Sequence, residues 1–130
     1  MAQEDKNILL KDICARVPYG IIASVRGSDE EFQHFHILGV KDDKVWVKND
    51  MLQVDGFEDV EVVKPYLRSP SSMTAKETIE WHETTLGQRW ITFDNVERCV
   101  DWLLAHHFDF RGLIEKGLAL EAPKGMYKTK

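Results

Sequence analysis

Cysteine is scarce in this chain. Cys14 and Cys99 are the only two in 130 residues, and no C-x-x-C pair occurs. A zinc ribbon and a thioredoxin-type redox site are therefore excluded at the motif level. Each cysteine sits among apolar neighbours, which predicts two buried, reduced thiols. Long apolar runs are also missing: none exceeds four residues, against the ~20 that a membrane-spanning helix needs. The first six residues, MAQEDK, are polar and acidic, unlike the basic start and apolar run of a signal peptide. A cytoplasmic location and no membrane contact are the expectation.

A basic cluster is lacking too. Seventeen Lys and Arg face 22 Asp and Glu, a net charge of −5. Residues 1–65 hold 8 basic and 13 acidic side chains; residues 66–130 hold 9 of each. Duplex nucleic acid, which is bound by clustered cations, is disfavoured as a partner. Nucleotide and hydrolase signatures are equally absent: there is no G-x-G-x-x-G, no Walker A loop, no G-x-S-x-G and no H-E-x-x-H. No cofactor is expected. What remains is a composition of 43% apolar and 30% charged residues, that of one soluble globular domain.

Hydrophobic periodicity divides that domain in two. Residues 4–16 read as an amphipathic helix with Ile8, Leu9, Ile13 and Cys14 inward. Val17-Pro18-Tyr19-Gly20 stops it. Residues 21–26, 32–40 and 44–48 read as strands joined by tight polar turns, an antiparallel meander. In the second of these, Phe35, Ile37 and Gly39 share one face, with His34, His36 and Leu38 on the other. In the third, Val45 and Val47 oppose Trp46. Turn residues fill 49–56, and a further strand is expected over 60–63, with Pro65 at its end or on an edge.

After a connector at 69–73, the second half reads as helical. Thr74 and Glu77 form a capping box for a helix over 74–86, closed by Gly87. A short strand is expected at 89–93. Asp94 then caps a helix over 95–107 with Val96, Cys99, Val100, Leu103 and Leu104 inward. Asp109 is placed to cap a last turn, 111–116, ended by Gly117.

Chemistry-bearing groups are few. His34 and His36 share a strand face, and with His107 they could supply three zinc ligands, the basis of a small metal-dependent enzyme. The same histidines also read simply as a polar strand face and a helix end. The serines of 69–72 lie beside prolines without a base and read as a solvated turn. Four tryptophans are many for this length, and exposed Trp and Tyr anchor interfaces. Trp46 is one candidate. The others lie where the C-terminal run meets the segment near Pro65: Tyr66, Arg68, Asp109 and Arg111.

Three stretches carry a resemblance. They are residues 101–127 (DWLLAHHFDFRGLIEKGLALEAPKGMY), residues 9–20 (LLKDICARVPYG) and residues 64–74 (KPYLRSPSSMT). Together they resemble a family of small proteins of unknown function from prophage-like and mobile regions of gut anaerobic bacteria. The resemblance covers somewhat under half of the chain, and residues 75–100 depart from it. It implies a bacterial or phage setting and transfers no catalytic residue.

The expected fold is α+β: a small antiparallel sheet of about four or five strands, with an SH3-like half-barrel as one form it could take, and helices packed on it. The expected function is a non-enzymatic protein-interaction or accessory module that binds a protein partner or itself. Alternatives are the histidine metal enzyme and a single-strand nucleic-acid-binding barrel using Trp46.

Overall fold

A helix, α1, spans Gln3–Arg16 and buries Leu9, Asp12, Ile13 and Arg16. Steps of three and four residues put these four on one face. Cys14 lies about 100° round the helix from Ile13 and is exposed, so the expectation of two buried thiols holds only for Cys99. Val17–Tyr19 follow as a 3₁₀ turn, and Gly20 at φ 74° lets the chain leave it. The structure is a computed structural model that describes residues 1–27, 34–49, 51, 54–85 and 95–127.

Six strands form one sheet in the order β4-β3-β2-β1-β5-β6. They are β1 Ile22–Val25, β2 Phe35–Lys41, β3 Lys44–Asn49, β4 Val54–Asp59, β5 Val63–Leu67 and β6 Leu120–Glu121. All neighbours run antiparallel except β5 and β6. The α+β architecture is as expected, and among the described residues the sheet gains β4 and β6, which the sequence pattern did not suggest. The Asp42-Asp43 turn closes β2 onto β3, and Asp42 takes φ 56°, a left-handed conformation that Asp tolerates.

Two strands differ from expectation. Residues 60–62 form a 3₁₀ turn rather than a strand, and β5 begins at Val63. Pro65 lies inside β5, opposite Ala23 of β1, at a point where β6 has not yet begun. Its missing N–H therefore costs no ladder bond on that side. In β2 the register shifts between Ile37 and Gly39. This bulge places Leu38 and Gly39 together on the outer face and returns Val40 to the core side, so Gly39 does not share a face with Ile37.

The core joins Leu9 and Ile13 of α1 to Ile21, Ala23, Val25, Ile37, Val45, Val47, Val63 and Leu67 of the sheet region. Leu113 and Leu118 close it from the C-terminal run. Thr74 and Glu77 cap helix α2, Ala75–Thr84, with both bonds of the capping box in place. Helix α3, Val96–Ala105, buries Cys99 and Leu104, while Val96 is exposed. Trp81 of α2 meets Trp102 of α3 at 5.3 Å between ring centroids. The expected strand at 89–93, Gly87 and the Asp94 cap lie outside the described residues. No helix among the described residues is long and apolar enough to cross a membrane.

Candidate functional site

The C-terminal run does meet the 66–68 segment. The Arg68 N–H donates to the His107 carbonyl, and the Asp109 N–H donates to the Arg68 carbonyl, both at 2.8 Å. This places Arg68 beside Phe108 as a parallel bridge. The Arg68 guanidinium then forks onto Glu77 at 2.7 and 2.6 Å and lies over the Phe108 ring at 4.3 Å. Those charge-assisted bonds, with burial opposing them, hold the Glu77 carboxyl down at about 2. Asp109 accepts the Leu113 and Ile114 N–H groups, each at 3.0 Å, and so caps the last turn as anticipated.

Arg111 reaches back to α1, where its Nε donates to Asp12 at 3.1 Å. Asp12 also accepts from Arg16 at 2.7 Å. Both Asp12 and Arg16 are 0% exposed. Arg16 further donates to the Phe108 carbonyl at 2.7 Å, while its Nη1 has no partner among the described residues. Arg68 and Asp109 are thus brought together and engaged within the fold, while Arg111 turns to α1 and is held there, among the described residues, through its Nε alone.

Tyr66 is engaged as well. Its carbonyl accepts the Tyr127 hydroxyl at 2.7 Å, and that hydroxyl accepts the Ile22 N–H at 3.0 Å. Tyr127 stacks on His107 at 3.8 Å. Burial, aided by the Arg16 and Arg68 charges, pushes the His107 imidazole down to about 4, and burial pushes the Tyr127 hydroxyl up. His34 sits edge-on to Tyr66. His34, His36 and His107 do not converge: among the described residues, no three or more His, Cys, Asp or Glu side chains gather so as to hold a metal ion.

A cleft of about 480 Å³ opens beside Arg68, between Thr74 on one side and Glu121, Lys124 and Tyr127 on the other. Its buried polar groups, Arg68 and the Tyr127 hydroxyl, have partners within the protein. The remaining charged groups of its lining, Glu121 and Lys124, are exposed and of opposite sign.

The outer face of the sheet is different. Gly39, Trp46 and Phe57 line up across β2, β3 and β4. Trp46 is 38% exposed and Phe57 53%, and their rings stack at 6.1 Å. Leu38, on the same face, is exposed nearby. The Trp46 indole N–H donates to Asp55 at 2.8 Å, which fixes the ring. On the next row Lys44 pairs with Asp59, whose carboxyl is held low by that hydrogen bond.

Trp46 was legible from its position opposite Val45 and Val47. Phe57 was not. It alternates with Asp55 and Asp59 in a stretch whose other face offers Gly56 and Glu58, so no apolar period marked a strand. No protein-family model matches the chain, and no curated protein and no solved structure matches it either.

Proposed function

We propose that this protein is a non-enzymatic interaction module that binds a protein partner through the outer face of β2, β3 and β4, as an accessory of a phage-like or mobile element. The observation that carries the reading is the exposed, mutually stacked pair Trp46 and Phe57. Two large aromatic rings held outward on a rigid sheet supply the kind of low-entropy anchor that dominates protein interfaces. The carboxylates of Asp55 and Asp59 stand beside these rings and engage Trp46 and Lys44. The net charge of −5, all of it in residues 1–65, suits a protein partner better than a single-stranded nucleic acid.

Co-purification of the tagged protein from its native host tests the reading. A partner should be retained by the wild type and by Ile79→Ala, a change at an exposed apolar residue of α2. The same partner should be lost from Phe57→Ala. Retention by all three proteins, or recovery of nucleic acid released by salt, would contradict the proposal.

A further inference from the structure

We infer that the partner adds an extended, cationic segment to the outer edge of β4, beyond which no described strand lies, continuing the sheet by one strand. This inference rests on the reading of the outer face as the contact surface. Three observations bear on it. First, β4 ends the strand order, with no described strand beyond it. An edge strand presents a row of backbone donors and acceptors ready to pair with another chain.

Second, the apolar row Gly39, Trp46, Phe57 runs straight to that edge, so an apolar side chain on an added strand would lie against Phe57 about 5 Å further on. Third, the edge is acidic. Between Lys48 and Lys64 the sequence has five acidic residues and no Lys or Arg. Of these, Asp55, Glu58 and Asp59 belong to β4 itself.

Charge at an edge also discourages aggregation. That purpose does not account for an aromatic ring left exposed in the middle of the strand. Nor does a second copy of this chain suit the edge. Pairing two β4 strands would place three carboxylates from each copy in one ribbon, where like charges oppose each other.

The register sets a pattern for the added strand. Asp55, Phe57 and Asp59 share the outer face, and Gly56 and Glu58 share the other. A strand crossing Asp59, Glu58, Phe57, Gly56 and Asp55 in turn is best matched by basic, basic, apolar, any and basic residues. Either chain direction serves, with the order reversed.

The test is selection of a displayed random decapeptide library on the immobilised full-length protein, followed by titration of the enriched peptides as synthetic samples. Enriched peptides should carry the basic-basic-apolar-any-basic pattern and bind more weakly as salt rises. Their affinity should fall about tenfold or more with Phe57→Ala and with Glu58→Lys, and hold with Ile79→Ala. Equal melting temperatures will show that the variants are folded. Failure to enrich any peptide, or enrichment of acidic peptides, would overturn the inference. Peptides without the pattern that still need Phe57 would overturn strand addition while leaving the face as the contact surface. Peptides indifferent to both substitutions would overturn both.

Discussion

Arg68 and Glu77 form a buried two-bond pair, 2.6 and 2.7 Å long, that ties the residue after β5 to the first turn of α2. The same Glu77 carboxylate completes the α2 capping box by accepting the Thr74 N–H at 2.9 Å. One side chain therefore satisfies a helix end and neutralises a buried guanidinium.

Replacing Glu77 with Gln should accordingly destabilise the fold by about 3–5 kcal/mol, because the Arg68 charge would remain buried without its counter-ion. The pair also sets an acid limb. The Glu77 carboxyl sits near 2 in the folded protein against 4.5 normally. Its contribution is thus full above about pH 4.5 and lost as pH falls towards 2, on the order of 3 kcal/mol in all. Urea titrations across that range should show a flatter acid limb for Glu77→Gln than for the wild type.

Asp12 and Arg111 make an informative contrast. Asp12 is fully buried between two guanidinium groups, whereas the Arg111 side chain is partly exposed. Asp12→Ala should cost about 3–5 kcal/mol, since it strands Arg16 in the interior. Arg111→Ala should cost about 1 kcal/mol or less. Comparable losses in urea unfolding would show that Arg111, rather than Arg16, is the main partner of Asp12.

His107 contributes a second pH effect at milder acidity. Its imidazole is held near 4, below the usual 6.5. The folded state thus resists a proton that the unfolded chain accepts. Stability should be unaffected above about pH 6.5 and should fall by ~2 kcal/mol as pH drops towards 4. His107 has φ 64°, which Asn tolerates better than most residues. His107→Asn should therefore fold and lose most of this dependence; an unchanged dependence would assign it elsewhere.

Tyr127 fastens the end of the described chain to the sheet. Tyr127→Phe removes the hydroxyl shared by Ile22 and Tyr66 and should cost about 1–3 kcal/mol. Hydrogen exchange should quicken first at Ala122, whose N–H bonds the Leu67 carbonyl at 2.7 Å. Uniform quickening across the sheet would mean that this strap does not open on its own.

Much of this architecture was legible in the sequence, and the failures have physical causes. The Thr74–Glu77 capping box and the Asp109 cap were readable because each is a local arrangement of side chain and backbone. Trp46 was placed correctly because β3 alternates cleanly. The Leu38 bulge escaped notice because one extra residue leaves apolar composition unchanged while reversing the face of every later residue in the strand. β4 was hidden by its own acidity, since Asp, Glu and Gly are poor strand formers away from tertiary context. The meeting of the C-terminal run with the 66–68 segment was legible, and it joins Arg68 to Asp109. Sequence could not show that Glu77, the last-turn amides and Asp12 already engage Arg68, Asp109 and Arg111 in turn.

The central claim is that the outer face around Trp46 and Phe57 meets a protein partner. Photo-crosslinking in the native host tests it most directly, with a benzophenone side chain placed at position 57, and at position 79 as a control. A discrete protein adduct formed from position 57 and not from position 79 is the predicted result. No adduct from position 57, or the same adducts from both positions, would contradict it.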